Sequence, residues 1–114
     1  MSDQAIEDVI RALAKTVCEL EYTVMQAYEQ FLAKYGVGHE YSNRLESYFP
    51  AIDKQHLFMA EMEEHAKKNE LVAVLDKAAK IRALSEMIKE DARSFLTSMN
   101  TGLSAEKVQS EPIH

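Results

Sequence analysis

The strongest constraint on the fold of this chain is a stripe of apolar residues with helical spacing between residues 2 and 35. Successive members of the stripe are alternately four and three residues apart, a pattern typical of a helix that packs lengthwise on another helix. The stripe consists of Ile6, Ile10, Leu13, Val17, Leu20, Val24, Ala27 and Phe31. At roughly 1.5 Å per residue, the predicted helix is about 50 Å long. The sequence therefore predicts a bundle of long helices.

A second apolar row, one residue beyond the stripe, widens the apolar face of this first helix. The row consists of Cys18, Met25 and Leu32. Together the stripe and the row cover roughly 160° at about 100° per residue, which is more than a helix needs to face its neighbours in a bundle. We therefore expect a homodimer about a two-fold axis, with this row and Met59 and Met62 of the second helix as candidate contacts with a second copy or a partner protein. Cys18 is also expected to be an inert thiol of the core.

Two further helices are predicted, over residues 40–68 and 70–99. Gly36 and Gly38 allow the left-handed backbone that ends the first helix, and a second turn is predicted near Asn69. Pro50 interrupts the second helix, which is either kinked there or broken into a short helix and a new one with the proline in its first turn. Because short turns make neighbouring helices antiparallel, the predicted fold is all-α, an up-down-up three-helix bundle that dimerisation could extend to four or more helices.

The chain is predicted to form one helical domain, residues 1–102, followed by a short C-terminal tail, residues 103–114. The third helix is expected to end at Asn100–Gly102, and the tail is expected to be mobile or to dock on a partner. An alternative to the homodimer is that the tail folds back over the first helix. Its apolar residues are Leu103, Val108 and Ile113.

Composition limits the classes of partner that the chain can bind. The 114 residues carry a formal net charge of −6, and 46% of them are hydrophobic. This acidic balance opposes binding to nucleic-acid phosphates and to anionic membranes, so we expect neither as a partner. The single cysteine cannot form an intramolecular disulfide and favours a reducing compartment. Because the sequence shows no signal-peptide pattern and no apolar run of membrane-spanning length, we expect the cytoplasm.

Four residues from three helices are candidates for a shared layer of the bundle. Counting back from each turn places Cys18 and Glu21 of the first helix near the level of His56 in the second and Glu86 in the third. Carboxylates and imidazoles from facing helices commonly hold metal ions in bundles. One hypothesis is therefore a site for a transition metal or haem. The alternative is a Glu–His or Glu–Tyr hydrogen-bonded pair, partly open to solvent, without a cofactor.

A short segment at the end of the second helix resembles the motif of histidine phosphotransfer proteins. In that motif an exposed histidine on a helical bundle is followed three residues later by lysine and then by glycine. Here His65 is followed by Lys68, and Asn69 stands in place of the glycine. The resemblance implies His65 as a phosphate acceptor. The alternative is an exposed histidine stabilised by the dipole at a helix end.

No motif in the sequence indicates a particular reaction. Glycine-rich phosphate loops, Ser-His-Asp sets of workable spacing and Cys or His clusters of zinc spacing are all absent from the sequence. We therefore expect a non-enzymatic protein-interaction module that self-associates, such as an adaptor, a regulator or a secretion-type chaperone. A metal- or haem-binding bundle is the alternative hypothesis, and a phosphotransfer protein is a more remote one.

Overall fold

A computed structural model describes the backbone of residues 3–109 and the side chains of residues 4–99. Four α-helices follow one another along this part of the chain: α1 (Asp3–Tyr35), α2 (Glu40–Glu46), α3 (Phe49–Lys67) and α4 (Leu71–Gln109). No strand occurs among the residues described. The predicted all-α fold is therefore confirmed. Within the same residues, no helix is both long and apolar enough to cross a membrane.

The helices run up, down and up, as the short turns predict. The rings of Tyr28 and Phe49 lie 5.5 Å apart where α1 ends and α3 begins, whereas Ile6 and Ala66 line one groove where α1 begins and α3 ends. These two contacts make α1 and α3 antiparallel. Phe31 lies 6.3 Å from Phe95, ring centre to ring centre, which places the end of α1 beside the later part of α4. The molecule is long and flat, with extents of 68 × 26 × 16 Å.

Backbone geometry at two points explains where the helices end. Gly36 and Gly38 have φ values of 91° and 87°, a left-handed conformation that costs glycine little. Pro50 lies in the first turn of α3, where its missing N–H would have had no partner in the helix. The second of the two predictions for this region is therefore confirmed: the helix is broken, and α2 and α3 are separate.

The core forms two clusters of buried residues along the bundle. One contains Leu13, Val17, Met59, Met62, Val74, Ala78 and Ile81, and the other Val24, Leu45, Tyr48, Ile52 and Ile88. The methionine side chains of the first cluster are enclosed by the chain's own helices, so the assignment of Met59 and Met62 to a surface for partners is wrong. On the outside of α4, by contrast, Leu71, Leu75, Met87 and Leu96 are each about half exposed.

The last helix is longer than predicted. The helical backbone of α4 continues through Asn100–Gly102 to Gln109, so the expected end at Asn100–Gly102 is wrong. One glycine in a helix interior costs only about 1 kcal/mol relative to alanine, and a single such residue need not end a long helix. The predicted mobile or docking tail lies partly outside the described residues, which end at 109, and the side chains beyond residue 99 are not described.

Candidate functional site

The predicted contact between Glu21 and His56 is present in the structure. His56 Nε2 lies 2.9 Å from Glu21 Oε1, linking the middle of α1 to α3. Glu21 follows buried Val17 by one turn, and His56 follows buried Ile52 by one turn, so both side chains extend from the edge of the core. The side chains keep 32% and 44% of their surface exposed, respectively. This arrangement is a solvent-accessible hydrogen-bonded pair, the second of the two readings of this layer.

The other two members of the predicted metal layer do not join this pair. Glu86 follows buried Ser85, so its side chain is rotated by about 100° from the core, and its carboxylate lies 3.8 Å from Lys89 Nζ. Cys18 is exposed, so the prediction of a buried core thiol is wrong. Among the residues whose side chains are described, no three His, Cys, Asp or Glu side chains lie together as a metal site requires. The four-residue layer is therefore not formed.

A polar network that the sequence did not predict joins α2 to α4. Arg44 donates two hydrogen bonds to the carboxylate of Asp91, at 2.8 and 2.9 Å, and Tyr48 Oη donates a third at 2.6 Å. The hydrogen bonds from Arg44 first, and from Tyr48 second, hold the pKa of Asp91 below its ordinary value. Burial, together with the neighbouring carboxylate, raises the pKa of Tyr48 to about 12. The network therefore connects α2, and the short segment between α2 and α3, to α4.

A second unpredicted polar group lies inside the core. Gln55 is fully buried, and its Nε2 donates to the carbonyl oxygen of Ile81 at 2.8 Å and to Ser85 Oγ at 2.7 Å. Its Oε1 is buried without a hydrogen-bond partner. The sequence did contain a signal for its burial, because Gln55 lies three residues after Ile52 and four before Met59, on the apolar stripe of α3.

The histidine of the phosphotransfer resemblance has a carboxylate as neighbour. His65 Nδ1 lies 2.7 Å from Glu70 Oε1, across the turn between α3 and α4. The hydrogen bond from His65 is the main reason that the pKa of Glu70 is lowered. A carboxylate at this distance opposes the approach of a phosphate group, because both are negatively charged.

Two groups of neighbouring large apolar side chains are exposed on the outside of the bundle. On α1, Tyr22 and Met25 are 63% and 45% exposed, and Cys18 is exposed beside them. Leu32, the other member of the predicted row, is half-buried. In the first two turns of α4, Leu71, Val72 and Leu75 form a second group, here called the α4 patch, in which Val72 is 84% exposed. Contiguous exposed apolar groups mark sites of protein contact more often than single exposed apolar residues do.

Comparisons of this chain with models of protein families, with curated proteins and with solved structures found no significant match in any of the three.

Proposed function

We propose that this chain is a non-enzymatic protein-interaction module, an adaptor, regulator or secretion-type chaperone, which self-associates and contacts another protein through exposed apolar side chains. The observation that carries the proposal is that large apolar side chains lie outside a bundle whose core is already filled. Apolar side chains on the outside of a domain lose their contact with water only when another surface covers them.

The α4 patch supports the part of the proposal that concerns another protein. Leu71, Val72 and Leu75 lie within two turns of one helix, and each is at least half exposed. Full burial of such a side chain is favourable by about 1.5–3 kcal/mol, so a partner that covers the three side chains gains a hydrophobic contribution to binding. The chain's net charge of −6 favours a partner whose contact surface is apolar at the centre and is not acidic at the rim.

The cytoplasm remains the proposed compartment. An exposed free thiol at Cys18 is compatible with a reducing environment, where such thiols persist without forming disulfides.

Capture of partners from the cells in which the protein occurs tests this function with two matched variants. Leu75 and Met87 lie on the same helix and are each 54% exposed, but only Leu75 belongs to the α4 patch. We expect Leu75→Asp to lose proteins that the wild type captures, and Met87→Asp to retain them. Loss of the same proteins from both variants, or no protein that distinguishes wild type from Leu75→Asp, would contradict the proposal.

A further inference from the structure

A second row with coiled-coil spacing lies on the outer side of α1. Its members are spaced four, three, four, three and four residues apart and are all exposed: Arg11, Lys15, Cys18, Tyr22, Met25 and Glu29. We call them the α1 row. At about 100° per residue the row lies on average roughly 120° around the helix from Val17, a residue of the core. Alternating spacings of three and four are the pattern by which one helix packs along another, yet within residues 4–99, whose side chains the structure describes, no helix covers this row.

The order of charges along the α1 row identifies what could cover it. The row is basic at its start, with Arg11 and Lys15, apolar in the middle, and acidic at its end, with Glu29. A row with this order is complementary to itself when one copy is reversed, because the basic start of each copy then faces the acidic end of the other. We propose that the α1 row packs antiparallel against the α1 row of a second copy, about a two-fold axis near residue 20.

This register defines the pairs across the interface. Residues whose numbers sum to about 40 face each other, so that Arg11 lies opposite Glu29 of the second copy and Cys18 lies opposite Tyr22 of the second copy. Each pair occurs twice because the interface is two-fold symmetric. The reversed orientation is required, since a parallel pair would place Arg11 against Arg11 and Glu29 against Glu29, and like charges in direct opposition are unfavourable.

The contact of Arg11 with Asp8 in the single chain does not prevent Arg11 from pairing with Glu29 of the second copy. Arg11 Nη1 lies 3.3 Å from Asp8 Oδ1, with both side chains more than half exposed. Ion pairs between side chains this exposed contribute little to stability, so Arg11 can turn to Glu29 of the second copy at little cost. The proposal rests on the self-association in the proposed function and names its surface and orientation.

Charge-swap variants of the full chain test the proposal by sedimentation. Arg11→Glu and Glu29→Arg each place like charges opposite each other at two points of the interface. We therefore expect each variant to raise the dimer dissociation constant about tenfold, which corresponds to about 1.4 kcal/mol. The double variant Arg11→Glu/Glu29→Arg restores opposite charges, and we expect it to return the constant to near the wild-type value. Arg93→Glu is the matched control, because Arg93 also pairs with an acidic residue three positions earlier and is similarly exposed.

Three results would overturn the proposal. They are a wild-type chain that stays monomeric at all concentrations, single variants that dimerise like Arg93→Glu, and a double variant no better than the singles. Circular dichroism of each variant shows whether its helices are intact. If Arg11→Glu loses helix content, Glu29→Arg compared with Arg93→Glu supplies the test by itself.

Oxidation of the wild-type thiol gives an independent measure of orientation. In the antiparallel register the two Cys18 residues lie about 6 Å apart along the axis, in addition to the lateral distance between the helices, which together exceed the span of a disulfide. We expect no rapid Cys18–Cys18 disulfide, and rapid, complete formation would show a parallel pair and overturn the proposal. Partner capture through the α4 patch does not depend on these outcomes, so the partner-binding part of the proposed function stands or fails separately from the dimer.

Discussion

His56 Nε2 lies 2.9 Å from Glu21 Oε1, and this contact joins α1 and α3 near their middles. Both side chains are partly open to water, so the contact resembles a surface ion pair, worth about 0–1 kcal/mol. We expect Glu21→Gln to lower the free energy of unfolding by less than about 1 kcal/mol, measured by urea denaturation. A loss above about 3 kcal/mol, the range of a broken buried pair, would contradict this assignment.

The network at Asp91 predicts a specific loss of stability in acid. Because the pKa of Asp91 is lower in the folded chain, its contribution is present above the unfolded value near 3.9 and is lost as the pH falls through the folded value. We expect Asp91→Asn to cost about 1–2 kcal/mol at neutral pH and progressively less below about pH 4. Urea denaturation of both proteins from neutral to strongly acidic pH measures the difference, and a difference that does not change with pH would contradict the prediction.

The raised pKa of Tyr48 predicts a loss of stability in base. Its pKa is raised to about 12, so its contribution to stability is full below about pH 10, the ordinary tyrosine value, and is lost as the pH rises to about 12. We expect the absorbance of ionised tyrosine, measured within milliseconds of a jump in pH, to show a last step near pH 12 that Tyr48→Phe lacks. A titration in which all five tyrosines ionise together near the ordinary value would contradict it.

Gln55 offers a test of what a buried polar group does in this core. Its Oε1 is buried without a partner, whereas Ser85, which would lose the Gln55 hydrogen bond, can instead bond to a carbonyl of its own helix. We therefore expect Gln55→Met to change the free energy of unfolding by less than about 1 kcal/mol. Gln55→Ala, which leaves a cavity, should cost about 2–4 kcal/mol. Equal losses for the two variants would show that the amide hydrogen bonds, and not the filled volume, stabilise this position.

Because the proposed dimer covers Cys18, we expect the reactivity of its thiol to depend on protein concentration. The thiol is exposed in the single chain and lies in the middle of the α1 row, where a second copy would cover it. We expect a thiol reagent to modify Cys18 rapidly in dilute protein and more slowly as the concentration rises. Arg11→Glu should remain reactive at the concentrations that protect the wild type. A rate that is slow at every concentration, or that does not change with concentration, would contradict the prediction.

The sequence predicted the fold because helical spacing carries most of the information about a bundle. Three-and-four spacings located α1 and α4, and the glycines after Tyr35 located the first turn. The contact between Glu21 and His56 followed from counting residues along antiparallel helices. Such counting gives the level of a residue along the bundle, but the side of the helix on which it lies depends on the rotation of each helix. This is why Glu86 lies near the predicted level and still faces solvent.

The remaining features depend on contacts between residues distant in the sequence. Arg44 and Asp91 are 47 positions apart, and their pairing depends on how α2 lies on α4 after the break at Pro50. The exposure of Leu71 and Leu75 likewise depends on how far α1 covers the start of α4. Neither the pairing of residues far apart in the sequence nor the extent to which one helix covers another can be inferred from the spacing of residues within a single helix.

Sedimentation equilibrium of the full chain, and of a version that ends at Gly102, tests most directly whether the outer face of α1 is covered by a second copy. We predict that both proteins associate with rising concentration to about twice the 13.0 kDa of one chain, or the slightly smaller equivalent for the shortened chain. A full chain that stays monomeric, with self-association only after truncation, would show that the residues beyond Gly102 cover α1. Monomers in both cases would contradict self-association altogether.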